Sequence, residues 1–309
     1  MIIVNGADDG PRIVMTAAAH PPELIAVAGV QIVTRKKLDP KKLKGAVIAF
    51  PVTNPLGMQF GDYVSPHDGV NINYAFPGSK DGSPSHRLAN FIWEATKGSD
   101  LALDFHEIAS PCLAFSLVDR VKDRSLEKRA MTAAEAFGIT VIRTGEAASF
   151  TLPGVKAGDI SFSTLCMTNG IPSFVPEVEG GPEVWYFRES QPNVNVTVRG
   201  MLNIFKKLGM IEGEIEPQTG ITILKGSFEY WGIARANRGG FVDRLVNTGE
   251  RIKKGTRISR ILNAFGDTVE TIRMPVDGYL WGWTAAGGSN RRHLTVHSGG
   301  NVAYIFREK

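Results

Sequence analysis

Two apolar runs, each leading into polar residues of the metal-binding type, constrain the fold of this chain most. Arg12–Ala19 (RIVMTAAA) precedes His20-Pro21-Pro22-Glu23, and Leu101–Phe105 (LALDF) precedes His106-Glu107. Short apolar runs of this kind are typical of buried parallel strands. Open α/β sheets carry their functional sites at the carboxyl ends of such strands. The sequence therefore predicts an α/β fold in which these polar residues meet at one edge of a sheet.

Two histidines and a carboxylate form the ligand set of a catalytic zinc, which keeps a fourth position open for water. His20 and Glu23 can converge on one ion if they flank a strand-to-helix turn, and His106 would then arrive from another strand. The spacing HxxE is a weak signal when taken alone. The alternative is that the two histidines are unrelated residues of the core or of a site edge.

Composition places the chain among ordinary globular proteins. It has 309 residues, of which 43% are apolar and 21% charged, and its net charge is +4. The densest basic run, Arg35–Lys44 (RKKLDPKKLK), contains no aromatic residue and lies between two apolar segments. A solvated surface explains this run better than a nucleic-acid footprint does, so we expect no nucleic-acid partner.

The cysteines and the first ten residues indicate where in the cell the protein is expected. Cys112 and Cys166 lack both a disulfide framework and a CxxC zinc spacing, and their neighbours predict small buried side chains. The segment MIIVNGADDG has no basic region followed by a long apolar region, which a secretory signal needs. No segment approaches the roughly twenty apolar residues of a membrane helix. We expect a cytoplasmic protein without a membrane partner.

Residues 1–212 alternate short apolar runs with helical patterns and predict one βαβ-type domain. Apolar residues recur at three- and four-residue spacing in the helical segments. Ser85 and Ser125 are candidate caps for two of these helices, and Gly209 is a candidate stop for the last. The predicted strands are Arg12–Ala19, Ala46–Val52, Leu101–Phe105, Cys112–Leu117, Thr140–Ile142 and Ser173–Pro176, and the predicted helices Glu23–Val33, Ser85–Lys97, Arg124–Phe137 and Asn193–Leu208.

The sequence changes character after Met210. Ile211–Gly220 (IEGEIEPQTG) has the composition of a linker. Short glycine-punctuated runs follow and predict a small all-β domain over residues 213–309. Leu245–Gly255 with Pro275–Gly278 resembles the barrel-sandwich hairpins of biotinyl and lipoyl carriers. The stretch that would hold a carrier lysine, Thr271–Met274, has none, so we expect a scaffold or lid. The predicted strands are Ser227–Ala236, Gly240–Val246, Arg257–Ile261, Thr268–Met274, Tyr279–Thr284, His293–Ser298 and Ala303–Phe306.

Four sequence blocks taken in order resemble one family. They are HxxE at His20–Glu23, Asp68–Gly78 (DGVNINYAFPG), Asp104–His106 (DFH) and Ile171–Gly180 (IPSFVPEVEG). The succinylglutamate desuccinylase/aspartoacylase family has HGxE, DGxNLNRxFPG, DLH and PxxTVELGG, followed by a β module. The resemblance spans almost the whole chain. It implies a zinc-carboxypeptidase-like mixed sheet flanked by helices, a small barrel-sandwich-type β domain, and hydrolysis of an amide bond.

The resemblance also assigns residues. His20, Glu23 and His106 match the zinc ligands, with one Zn²⁺ expected per chain, and Glu177 matches the catalytic glutamate when Pro172 is aligned with the family proline. Glu179 is the competing alignment. A glutamate beside the reacting water would take its proton and later give it to the leaving amine.

The departures from the family pattern concern the substrate. Tyr74 stands where the family has an arginine that grips a substrate carboxylate, and the stretch Asp62–Gly69 lacks the family's second arginine. Tyrosine cannot replace the bidentate, charged contact of arginine. Pro21-Pro22 stiffens the first motif. The candidate substrate-binding residues that remain are Asn71, Asn73, Tyr74 and Tyr63, with His67 as a further hydrogen-bond donor.

These observations predict a zinc-dependent deacylase or amidohydrolase that acts on a small N-acylated substrate. Because the non-metal part of the pocket is neutral to acidic, with Glu107 beside the third ligand, we expect preference for a neutral or cationic amide. Arg143 and Arg188 are the candidates for a replacement cation. The missing arginines keep a second interpretation open, a metal-binding pseudoenzyme or small-molecule sensor. A metallocarboxypeptidase fits less well, and assembly into a homo-oligomer stays open.

Overall fold

A computed structural model describes residues 1–108, 111–146, 160–179, 190–283 and 295–308 of the chain. The chain forms two compact units. The first contains the described residues within Met1–Glu107, Phe115–Val178 and Val184–Gly220, and the second those within Ile108–Ala114, Glu179–Glu183 and Ile221–Lys309. The chain therefore enters the second unit twice before its C-terminal part.

A mixed eight-stranded sheet forms the centre of the first unit, in the order β1-β3-β2-β4-β8-β6-β7, with β5 paired to β8. Strand β2 runs parallel to both β3 and β4, which confirms that the two apolar runs are neighbouring parallel strands. Strand β6 runs antiparallel to β8, so its amino end reaches the edge where β4 and β8 end. The strands are β1 Ile2–Asn5, β2 Asp8–Thr16, β3 Lys44–Phe50, β4 Leu101–Asp104, β5 His106–Ile108, β6 Phe115–Arg120, β7 Thr140–Glu146 and β8 Ser173–Glu179.

Among the described residues of the first unit there are six α-helices, and four of them match predicted helices. The predicted caps Ser85 and Ser125 are wrong. In the helix that begins at Arg124, Asp123 accepts hydrogen bonds from the backbone N–H groups of Ser125 and Leu126. The helices are α1 Ile25–Ile32, which continues as a π-helical turn Val33–Lys37, α2 Pro55–Met58, α3 Pro84–Thr96, α4 Arg124–Phe137, α5 Phe162–Thr168 and α6 Pro192–Lys207, with a 3₁₀ turn at Ile72–Tyr74.

Strand β1 and helices α2 and α5 were not predicted. The first two are four residues long and α5 is seven residues long, so none offers enough positions for a periodic pattern. The predicted stop at Gly209 is confirmed, since this residue has φ +69° directly after the helix end.

Two glycines let α1, α4 and α6 approach closely. A Cβ at Gly29 of α1 would lie 2.6 Å from the Thr197 Cγ2 of α6, and one at Gly200 of α6 would lie 2.4 Å from the ring of Phe137 on α4. A helical glycine costs about 1 kcal/mol relative to alanine. Close packing of the three helices offsets that cost. Every residue of α1 except Gln31 is buried.

The segment predicted as a linker has no regular structure, but part of it is bound to the first unit. Asn203 exchanges two hydrogen bonds with the backbone of Glu216, at 2.7 and 2.9 Å. The Gln218 side chain donates to the carbonyls of Phe137 and Val196. The first unit consequently extends to Gly220, so residues 213–220 lie with it rather than with the β unit.

The second unit contains two four-stranded antiparallel sheets, in the orders β13-β12-β10-β15 and β11-β14-β16-β9. One apolar cluster draws residues from both sheets, among them Ile261 and Ile272 from one and Leu280 and Ile305 from the other. The strands are β9 Phe228–Arg235, β10 Gly240–Arg244, β11 Arg251–Ile252, β12 Arg257–Leu262, β13 Thr268–Arg273, β14 Gly278–Trp283, β15 Thr295–Val296 and β16 Asn301–Glu308. Part of the predicted strand His293–Ser298 lies outside the described residues.

The predicted strand Cys112–Leu117 is divided between the two units. Strand β6 begins only at Phe115, while residues 111–113 pair with β14 of the second unit. The Leu113 N–H donates to the Trp281 carbonyl at 2.8 Å, and the Trp283 N–H donates to the Pro111 carbonyl at 3.1 Å. Cys112, like Cys166, is buried, as predicted.

Among the described residues, we find no helix with the length and apolar character required to cross a membrane.

Candidate metal centre

Three predicted ligands come together at the carboxyl edge of the sheet. His20 and Glu23 lie in the turn between β2 and α1, and His106 begins β5 directly beyond β4. Ligand atoms of the three side chains all lie within 4.8 Å of one another. His20 Nδ1 is 2.8 Å from Glu23 Oε1, and His106 Nδ1 is 3.0 Å from Glu23 Oε2. All three residues are at most 9% exposed.

The turn that carries His20 is fixed by backbone and side-chain hydrogen bonds. Ala18 has φ +49°, in the left-handed region that a residue with a side chain rarely adopts. The N–H groups of Thr53 and Asn54 donate to the carbonyls of Ala17 and Ala18, and the Asn54 side chain donates to the Ala19 carbonyl. These contacts hold the strained turn in place before any ligand binds. The role of Asn54 was not predicted, because nothing in the sequence links it to a motif more than thirty residues away.

Charge in this cluster favours a bound cation. Burial would raise the pKa of Glu23, but the charges and hydrogen bonds of His20 and His106 lower it to about 2. Burial opposes protonation of His106, yet Glu23 and Asp104 raise its pKa well above the ordinary value. The cluster thus places an ionised carboxylate between two imidazoles, all able to face one ion. This donor set fits zinc, which accepts nitrogen and carboxylate oxygen ligands.

Two further carboxylates support the ligands. Asp104 accepts a 2.7 Å hydrogen bond from the Thr16 hydroxyl and lies 3.7 Å from His106 Nε2. Glu107 accepts a hydrogen bond from the Ile25 N–H and so holds the first turn of α1. Burial raises the pKa of Glu107 well above its ordinary value, and the negative charge of Glu23 adds to this. Glu107 therefore holds the start of α1 through a hydrogen bond and also interacts electrostatically with Glu23 of the cluster.

Glu177 lies on β8, which pairs with β5 on one side, and it faces Phe115 of β6 on the other. Burial raises the pKa of Glu177 to about 7; His106 opposes this rise, while Glu23 and Asp104 add to it. These interactions place the carboxyl within the field of the cluster. The side chain of the competing residue, Glu179, lies outside the described part of the chain.

Of the four predicted substrate-binding residues, Tyr63 and Asn71 contact His20, and Tyr74 interacts electrostatically with the cluster. The Tyr63 ring lies 4.4 Å from the His20 ring, and Asn71 Nδ2 lies 3.4 Å from His20 Nε2. Burial raises the pKa of Tyr74; His106 opposes this, and the charges of Glu177, Asp104 and Glu23 add to it. Asn73 is buried, and its Oδ1 has no hydrogen-bond partner among the described residues. A buried polar atom of this kind is costly unless a ligand satisfies it.

Several other predicted candidates lie elsewhere. His67 is exposed, and its ring contacts that of Phe60 at 6.2 Å. His86, which the sequence places at the start of a helix and so favours for the surface, is buried, and its Nδ1 lies 2.8 Å from the Ser83 hydroxyl. Arg143 pairs with Glu127 of α4 and does not supply the missing cation. Arg188 lies outside the described residues.

Asp68 of the DG motif has a structural role that was not predicted. Its carboxylate accepts hydrogen bonds from the Ser83 hydroxyl and from the Ser85 N–H and hydroxyl, all between 2.7 and 2.9 Å. Burial would raise its pKa, but these hydrogen bonds lower it to about 2. Asp68 therefore caps α3 and anchors the loop that carries Asn71, Asn73 and Tyr74.

Residues 9–164, just over half of the chain, match the model of the succinylglutamate desuccinylase/aspartoacylase catalytic domain. The chain belongs to this family. The resemblance inferred from the four sequence blocks is thereby confirmed. The matched region includes all three candidate ligands but ends before Glu177.

Other proteins of similar sequence or structure align with nearly the whole of this family member. An N-alpha-acetyl-L-2,4-diaminobutyric acid deacetylase from Halomonas elongata is 24% identical over 96% of this chain and 82% of its own length. A crystal structure of a succinylglutamate desuccinylase/aspartoacylase from Rhodobacter sphaeroides has a TM-score of 0.78 at 24% identity, covering 99% of this chain and 88% of that one. The product-bound ectoine utilization protein EutE (DoeB) from Ruegeria pomeroyi has a TM-score of 0.78 at 18% identity, covering 99% and 87%. These structures share the mixed α/β fold with its C-terminal antiparallel sheets.

Proposed function

We propose that this protein is a zinc-dependent deacylase that hydrolyses the amide bond of a small N-acylated compound. The proposal rests on the buried cluster of His20, Glu23 and His106, whose ligand atoms lie within 4.8 Å of one another. Family membership supports amide hydrolysis as the reaction class. Zinc would be held by these three side chains, with a position left for the reactants.

The chemistry divides between the ion and the protein. When bound, zinc would supply Lewis acidity that polarises the amide carbonyl and acidifies water. Glu177 would accept the proton of the attacking water and later donate it to the leaving nitrogen. Without the ion, burial raises the pKa of Glu177 to about 7, and the positive charge of a bound zinc would lower it and favour the carboxylate that accepts the proton.

The side chains around the cluster would orient the amide. Tyr63 belongs to the stretch Asp62–Gly69, which lacks the family arginine that stabilises the oxyanion, and its ring lies against His20. Asn71, within 3.4 Å of His20, would donate to the acyl oxygen. The unsatisfied oxygen of Asn73 would accept a substrate N–H, and Tyr74 would hydrogen-bond the amine portion.

The substrate class follows from charge. Tyr74 stands in place of one family arginine and the stretch Asp62–Gly69 lacks the second, while Asp104, Glu107 and Glu177 interact electrostatically with Glu23 or His106. A dianionic substrate would lose hydration there without gaining a bidentate partner. We therefore expect an N-acylated amine that is neutral or carries its own ammonium group. The H. elongata relative, named for deacetylation of an acetylated diamino acid, supports this class.

The second unit belongs, in this proposal, to the barrel-sandwich type and serves as a scaffold or lid. Support comes from its two antiparallel sheets and the apolar cluster that draws on both. Thr271–Arg273 lies within β13, and the turn between β12 and β13 (NAFGD) contains no lysine for a carrier arm.

Metal analysis and matched substrates test the proposal. We expect one zinc per chain in the purified protein and its loss in His20→Ala. We also expect a higher kcat/KM for N-acetyl diamines than for N-acetyl aspartate. Zinc binding without hydrolysis of any N-acyl amine, N-acyl amino acid or short peptide would favour the pseudoenzyme. Absence of zinc, or its retention in His20→Ala, would refute the metal site.

A further inference from the structure

The chain leaves the metal centre and enters the second unit within a few residues. His106 begins β5, whose last residue, Ile108, is already part of the second unit. Residues 111–114 lie in that unit as well, and Phe115 then returns to the first unit as the start of β6. Phe115 is the cross-strand neighbour of Glu177. One short segment therefore connects a candidate ligand to the strand beside the candidate base.

The second unit holds residues 111–114 through backbone pairing. Strand β14 pairs with β11 at Gly278 and Tyr279, and farther along with the segment at Trp281–Trp283. The two hydrogen bonds of this pairing join Leu113 to Trp281 and Trp283 to Pro111. The segment thus completes the edge of a strand that β11 covers only in part.

Side-chain packing fixes the same segment. Cys112 and Leu113 are both only 4% exposed. A Cβ at Gly282 would lie 2.9 Å from the Cys112 Sγ and 3.1 Å from its Cβ, so only glycine leaves room for the segment at this point. Gly249 gives similar room to Leu113, whose Cδ2 lies 3.1 Å from the position of a Cβ there.

We infer that Gly282 and its strand β14 position His106 and Glu177 by holding residues 111–114. Displacement of this segment would pull on the metal ligand at one end and on the partner strand of Glu177 at the other. Both groups need positions accurate to a fraction of an ångström, since a misplacement of about 1 Å can cost a hundredfold in rate. Gly282 is then a positioning residue for both groups. This inference rests on the proposed function, on its deacylase activity for the kinetic readout and on its zinc site for the affinity readout.

The test compares two alanine substitutions in the second unit. Gly282→Ala introduces a methyl group against Cys112. Gly300→Ala introduces one 2.7 Å from the Val296 Cγ2, in the same unit but against residues other than 111–114. For Gly282→Ala we expect kcat to fall about 10- to 100-fold with KM changed less than about twofold, and zinc affinity by chelator competition to fall about tenfold. Gly300→Ala should leave both quantities near wild type, even if its unfolding midpoint drops equally.

A compensating substitution separates positioning from general damage. In Gly282→Ala/Cys112→Gly the nearest atom left is the Cys112 Cα, 3.5 Å from the new methyl group, which is ordinary contact. We expect kcat and zinc affinity to recover towards wild type. If Gly282→Ala does not fold, Leu113→Ala should give a smaller change in the same direction. Equal kcat and zinc affinity in Gly282→Ala and Gly300→Ala would overturn the inference. Should the wild type hydrolyse no substrate, the proposed deacylase activity fails, and the zinc affinities alone decide the inference.

Discussion

Glu177 offers a sharp test of the site because its protonation is linked to stability. Its pKa is raised by burial from 4.5 to about 7, with His106 opposing and Glu23 and Asp104 adding to the rise. A raised pKa means that the native state binds this proton more tightly than the unfolded chain does. The stability of the metal-free protein should therefore fall as pH rises from about 4.5 through 7. The neutral amide of Glu177→Gln removes this dependence.

The size of the effect follows from the two pKa values. At 1.36 kcal/mol per pH unit, the difference between 4.5 and about 7 corresponds to about 3 kcal/mol. Because the side chain is partly exposed, we expect about 1–2 kcal/mol after solvent screening. Metal-free Glu177→Gln should thus be more stable than wild type by this amount at pH 8. The difference should be nearly lost at pH 4.5, where Glu177 is protonated in the native state and half protonated in the unfolded chain.

Urea unfolding of the metal-free proteins at pH 4.5, 6 and 8 measures this difference. Glu135→Gln, which changes an exposed carboxylate on α4, is the control and should stay within about 0.5 kcal/mol of wild type. With zinc restored, Glu177→Gln should bind the ion but lose about 10²- to 10⁴-fold in kcat as the general base is lost. Equal stabilities at pH 8, or full turnover in Glu177→Gln, would contradict the reasoning. Full turnover here with loss in Glu179→Gln would assign the base to Glu179.

Three further substitutions probe the turn, the helix packing and the pocket. Asn54→Ala should destabilise the protein by about 1–3 kcal/mol and weaken zinc binding, because the Ala19 carbonyl loses its donor; unchanged chelator competition would contradict this. Gly29→Ala should lower the free energy of unfolding by about 1–3 kcal/mol through overlap with Thr197, whereas stabilisation would show that α1 and α6 can separate. Tyr74→Arg should raise the kcat/KM ratio of N-acetyl aspartate over an N-acetyl diamine about tenfold or more, and an unchanged ratio would place Tyr74 outside substrate recognition.

The sequence predicted the sheet edge and the ligand cluster because both depend on local patterns. The apolar runs before His20 and His106 have the length and composition of buried strands, and parallel neighbours bring their carboxyl ends together. Helix α4 was predicted with its observed bounds, since its apolar residues recur over fourteen positions. Signals of this kind are contained in one segment of the chain.

What the sequence did not predict depends on contacts between distant segments. Ala18 has a left-handed backbone, but the sequence has no glycine there that would signal it. The hydrogen bonds that hold this turn come from the backbone of Thr53 and Asn54, far away in the sequence. The apolar run Cys112–Leu117 reads as one strand, although its two halves pair in different units. The alternation of apolar residues in a strand predicts which face of the strand is buried, but it does not identify the strand that pairs with it.

The charge around His106 connects the metal site to substrate choice. Glu23, Asp104 and Glu177 all act on His106 or are acted on by it, and Glu107 follows it directly. Burial opposes protonation of His106, but the charges of Glu23 and Asp104 raise its pKa. Burial itself raises the pKa of Glu107 and of Glu177, and the charge of Glu23 adds to both rises. A divalent ion would displace protons from its ligands as it binds. In the proposed reaction the remaining carboxylates would still face the substrate, and without the two family arginines they would disfavour an anionic group beside the scissile amide. One arrangement of charges thus favours both a bound cation and a substrate that brings no extra carboxylate.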